Sequence, residues 1–144
     1  MSNCTLTRDY LLSLDLAPEM NEFPEELFYQ ELFTELTHND IHHRIVLRFS
    51  KDEDIVHIIF AGLVKYDMDN ANKQFKVYEL LSEMNRDCFF SKFEIDLEDN
   101  YVQLNMVYHT TPDSFNPESL FEIIIQGIRD IESWYPALMK LKWG

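Results

Sequence analysis

The chain has 144 residues, 46% of them apolar, with 26 acidic against 12 basic side chains and a formal net charge of −14. This is material for one packed domain, and the frequent aromatic residues argue against disorder. The charge argues against nucleic acid, whose binding rests on Lys and Arg neutralising phosphates, and against anionic membrane surfaces.

The charge is uneven. Residues 9–43 carry nine acids and no Lys or Arg. Such a stretch is either a solvated face that confers solubility or a docking surface for a basic segment. Cys4 and Cys88 make no disulfide scaffold and no C-x-x-C pattern. The start MSNCTLTRDY has no basic region followed by an apolar run, and no stretch approaches 18 apolar residues. The expected compartment is the cytoplasm.

In residues 7–16, Tyr10, Leu11 and Leu14 fall at helical spacing, with Thr7 as the expected N-cap and Pro18 closing the helix. Residues 23–36 are ambiguous. Phe28, Leu32 and Leu36 recur every four residues after Pro24, which favours a helix. The pairs Phe28–Tyr29 and Leu32–Phe33 would also serve a strand.

Next comes a hairpin. Ile45, Leu47 and Phe49 alternate with Val46 and Arg48, the loop SKDED is polar, and DIVHIIFAGLV is a β-branched and aromatic run. Residues 70–85 predict a helix with a broad apolar face of Ala71, Phe75, Val77, Tyr78 and Leu81, extended by Leu80 and Met84. A second hairpin alternates Phe93, Ile95 and Leu97 with charged residues, then Val102, Leu104, Met106 and Tyr108 with polar ones. The last helix is marked by Asn116 as cap, Pro117 at its first position and Glu118 at the positive end of the dipole. Its apolar face includes Leu120, Ile124, Gly127, Ile128 and Ile131, and Pro136 is expected to end it.

The run VYELLSEMNRDCFFSKFEIDLEDNYVQLNMVYHTT, followed by a capped helix reaching YPAL, resembles the YbjN family. The likeness covers about residues 70–138. It rests on Met84–Asn85 at a helix end, the strand pattern from Phe93 to Asp96, the acidic turn Glu98–Asp99 and a terminal helix near Tyr135–Pro136. It implies the fold of type III secretion chaperones: an α+β two-layer sandwich, mostly antiparallel sheet, in the order α-β-β-β-α-β-β-α, as one domain over residues 1–144. Residues 27–36 then become the first strand, against their local helical preference. The resemblance further implies a non-enzymatic protein-binding module, commonly a homodimer.

The chemistry-bearing residues agree with a binding module. His38, His42, His43 and His57 lack a converging third or fourth ligand, because His42 and His43 are adjacent and point to opposite faces of a strand. They read as surface or interface histidines. The turn from Asp96 lacks the central Gly and the twelfth-position Glu of a calcium loop. No G-x-S-x-G or P-loop is present. Cys88 reads as a small buried hydrophobe and Phe89–Phe90 as a core plug. Trp134, Tyr135 and Trp143 either pack the last helix or form an exposed patch.

No cofactor and no metal are expected. The expected partner is a protein or peptide with a basic or amphipathic segment. Phe75, Tyr78, Gly127, Trp134 and Tyr135 are the candidate partner or dimer contacts. The alternative is a small-molecule or peptide sensory domain, and an enzyme with an unrecognised site is the weakest reading.

Overall fold

A computed structural model describes all residues, 1–144. Helix α1 (Asn3–Ser13) opens the chain, followed by strands β1 (Glu19–Glu22), β2 (Phe28–His38), β3 (Ile41–Ser50) and β4 (Ile55–Lys65). Helix α2 (Ala71–Arg86), strands β5 (Ser91–Asp96) and β6 (Tyr101–His109) and helix α3 (Pro117–Trp143) complete it. The α+β class and the expected order are present, with the four-residue β1 added at one edge. The six strands form one antiparallel sheet in the order β1-β2-β3-β4-β6-β5.

The core lies on one face of this sheet. Thr34, Ile45, Phe60, Leu104 and Phe93 stand opposite one another across five strands, and all are buried. Leu32, Leu47, Ile58 and Met106 make the next buried row. The three helices pack on this side: α3 over β4 and β6, α2 over β5, α1 over β2. The opposite face carries no helix.

Two glycines shape the packing. Gly62 has φ +65°, where an L side chain is strained, and it sits in the irregularity that shifts the β4–β6 register between Phe60 and Val64. Gly127 lets α3 approach the sheet closely. A Cβ there would lie 2.6 Å from Phe60 Cε2 and 2.9 Å from the Met106 sulfur.

Several local expectations are corrected. Residues 28–38 are strand, so the four-residue recurrence in 23–36 is overridden by pairing with β3. The deciding turn is Asn39–Asp40, both at positive φ, which closes a two-residue hairpin. Helix α1 is capped by Ser2, whose side chain accepts from the Thr5 N–H, and not by Thr7. It stops at Ser13, and Asp15 in the left-handed region turns the chain before Pro18.

Pro136 does not end α3. The following segment is held by its own packing: Leu138 is buried, Tyr66 donates to its carbonyl at 2.6 Å, and Lys73 donates to the Leu141 carbonyl at 2.7 Å. Three anchors outweigh the one backbone hydrogen bond that proline removes. The Asn116 cap and Pro117 start are as expected, with the Asn116 side chain accepting from the Glu118 N–H. Strand β5 stops at Asp96, so Leu97 lies exposed in the turn. No helix is long and apolar enough to cross a membrane.

Candidate partner-binding surface

The five residues singled out in the sequence do not converge. Phe75 (65% exposed) and Tyr78 lie on the outer side of α2, one turn apart, while Val77, Leu81 and Met84 fill the core side. Gly127 is buried on the side of α3 that faces Phe60 and Met106. Trp134 and Tyr135 are half-buried against the core, which favours their packing role, and Trp143 is exposed with the Lys142 ammonium 5.8 Å from its ring.

Phe89 and Phe90 overturn the core-plug expectation: they are 96% and 82% exposed. The link from α2 to β5 turns outward at Asp87–Cys88, and the strand resumes only at Ser91. The inward position beyond the link goes to Phe93, which is buried. Cys88 is half-buried, not enclosed.

Phe90 belongs to a larger feature. On the helix-free face, side chains alternate with the buried rows. Glu31, Arg48, His57 and Val107 stand opposite one another across four strands. At this end of the sheet, where β2, β4 and β5 begin and β6 finishes, apolar side chains are exposed: Leu27 at 68% and Val107 at 48%. The Phe28 ring lies 6.2 Å from His57, brought there beside a bulge between Phe28 and Gln30. A cavity of about 190 Å³ at the free edge of β6 beyond the start of β5, between Phe90, Met106 and Val107 on one side and Ile123 and Gln126 of α3 on the other, adjoins one end of this stripe at Val107. Another of about 320 Å³, lined by Phe23, Leu27 and Phe28 with Glu26, Glu31 and Arg48, marks the other.

Polar side chains tie neighbouring elements together. His57 Nε2 lies 3.2 Å from Asn105 Oδ1, and Asn105 donates to Glu94, which ties β4, β6 and β5 together. Burial lowers the His57 pKa.

His43 corrects the surface-histidine expectation. It is fully buried, and its two ring nitrogens have no hydrogen-bond partner. Burial pushes its pKa down, opposed by Glu132, whose Oε1 is 3.8 Å from His43 Nε2. Glu132 also pairs with His38 and accepts from Asn39 Nδ2 at 2.9 Å. Burial pushes the Glu132 carboxyl up, but these hydrogen bonds outweigh it and hold it below the usual range. No group of three or more His, Cys, Asp or Glu side chains is arranged to hold a metal ion. Burial pushes the Cys4 thiol up to about 12 and raises that of Cys88, the opposite of an activated nucleophile.

The stripe escaped the sequence reading because Leu27, Phe28, Phe90 and Val107 come from three separate parts of the chain. The FF pair is the visible signal, and its hydrophobicity alone points to the core. In comparisons with family models, curated proteins and solved structures, the chain matches none.

Proposed function

We propose that this chain is a non-enzymatic protein-binding module of the secretion-chaperone-like kind. The observation that carries the reading is the exposed aromatic pair Phe89–Phe90 beside an apolar cavity at the edge of β6, walled on one side by Ile123 and Gln126 of α3. Exposed apolar surface of this kind marks interaction sites, and aromatic side chains supply much of the energy at interfaces. The resemblance of residues 70–138 to the YbjN family supports the same reading.

A photo-crosslinking residue at position 90, in cells, should give a discrete protein adduct that the same residue at the exposed turn position 97 does not. Absence of protein adducts from positions 75, 78, 89 and 90 alike overturns the reading. A homodimer is part of the proposal, with Phe75 and Tyr78 on the outer side of α2 as its contacts. Light scattering should show a particle of twice 17.2 kDa, and a monomer throughout the micromolar range removes this part.

One feature favours a sensory domain as second reading: an open groove of about 400 Å³ between α2 and the end of α3, lined by Leu80, Ala137 and Leu141 with Lys76, Glu83 and Lys140. A small molecule whose stabilisation of the protein is lost in Leu80→Glu would favour it.

A further inference from the structure

We infer that the stripe from Phe90 over Val107, His57 and Phe28 to Leu27 is the docking site for a basic, amphipathic segment of a partner protein. The inference rests on the protein-binding reading and adds the place and the chemistry of the partner.

The apolar part is the anchor. Cavities of about 190 and 320 Å³ adjoin the two ends of the stripe, the first reached round the β6 edge between Phe90, Val107 and the α3 residues Ile123 and Gln126, the second under Leu27 and Phe28. Between β6 and β2 lie three strand spacings, roughly 14 Å, which an extended segment covers in about four to five residues. The segment crosses the strands, so it is read through its side chains, one apolar group entering each cavity.

The charge selects the partner. The surround is acidic: Glu26 lines one cavity, Asp52 and Asp54 stand in the β3–β4 turn, and Asp87 lies beside Phe89. None of these carboxylates has a cationic partner. Of the nearby cations, Arg48 is 3.3 Å from Glu31 and Lys51 donates to the Pro24 carbonyl at 3.1 Å; exposed Lys92, opposite Asn105, stands against these four acids. A second copy of this chain, itself at −14, would set these carboxylates against one another. A segment with Lys or Arg flanking its apolar residues places cations against them.

The test uses three short fluorescent peptides, alternating Lys with Leu, Glu with Leu, and Lys with Ser, followed by anisotropy at physiological salt. The Lys/Leu peptide should bind and the other two should not. Leu27→Ser and Phe90→Ser should each weaken binding about tenfold or more, and Leu97→Ser, at the opposite end of the sheet, should leave it unchanged. All three positions are exposed, so the variants should keep the wild-type melting temperature. Added salt should slow association and barely alter dissociation.

Equal binding of the Lys/Ser peptide overturns the inference, since charge alone would then suffice. Equal binding of the Glu/Leu peptide overturns it as well. If Leu27→Ser and Phe90→Ser bind as wild type while Phe75→Ser does not, the stripe is wrong but protein binding stands. If Phe90→Ser converts a dimer to a monomer, the stripe is a self-interface and the inference falls.

Discussion

The side chain of Asn85 holds both backbone groups of Phe93. Its Oδ1 accepts from the Phe93 N–H at 2.7 Å and its Nδ2 donates to the Phe93 carbonyl at 2.9 Å. Phe93 is in the middle of β5, the outermost strand on that side. The last turn of α2 thereby closes a sheet edge that would otherwise offer free backbone groups to another strand. The amide is suited to this because it presents a donor and an acceptor together.

Asn85→Leu removes both hydrogen bonds and exposes the edge. At about 0.5–1.5 kcal/mol per bond, the variant should lose roughly 1–3 kcal/mol. Urea denaturation measures the loss. A midpoint unchanged from wild type would mean that the edge does not depend on this amide.

Gly127→Ala should destabilise although alanine is the better helix former. The new Cβ would sit 2.6 Å from the Phe60 ring, in a wall of packed strands that cannot recede freely. The expected loss is about 1–3 kcal/mol, more for Gly127→Leu. Gln126→Ala, on the exposed side of the same helix, should stay within about 0.5 kcal/mol. Equal melting temperatures for the two alanine variants would contradict the close approach of α3.

Stability should fall with acidification. The folded pKa of His43 lies below the ordinary 6.5, so the unfolded chain binds more protons as pH drops through 6.5. Unfolding is then favoured from about pH 6.5 downward until the folded pKa is passed. His57 acts in the same direction. Glu132 adds a further loss as pH falls below the ordinary 4.5 towards its lowered folded value. In His43→Phe the slope of unfolding free energy against pH just below 6.5 should be shallower. An unchanged slope would show that His43 is not the titrating group.

The two thiols should differ in reactivity. Cys4 is fully buried, with its pKa pushed up to about 12, and Cys88 is half-buried with a smaller rise. Iodoacetamide at neutral pH should alkylate native protein slowly, at Cys88 first, and denatured protein at both. Mass spectrometry decides the order, and Cys4 reacting first would contradict its burial.

Wherever burial and local stereochemistry agree, the sequence by itself was sufficient. The period-two runs of β3–β4 and β5–β6 and the Asn116–Pro117 start of α3 are each set by neighbours a few residues away, whereas the apolar face expected of α2 is buried only at Val77, Leu81 and Met84 and leaves Ala71, Phe75 and Tyr78 exposed. The acidic charge is likewise a property of composition. The strand at 28–38 needed the tertiary structure, although Asn39–Asp40 was a readable turn signal, because Phe28, Leu32 and Leu36 fit a helix as well as alternate positions of a strand. Only pairing with β3 distinguishes the two. Pro136 is locally a stop signal, and contacts with Tyr66 and Lys73, about seventy residues earlier, carry the helix past it. Glu132 could not be placed beside His38 and His43 from spacing, since the carboxylate comes from α3 and the imidazoles from the β2–β3 hairpin. Phe89–Phe90 shows the same limit from the other side. Hydrophobicity says how favourable burial would be, but the path of the chain between α2 and β5 decides which aromatic is buried, and that place went to Phe93.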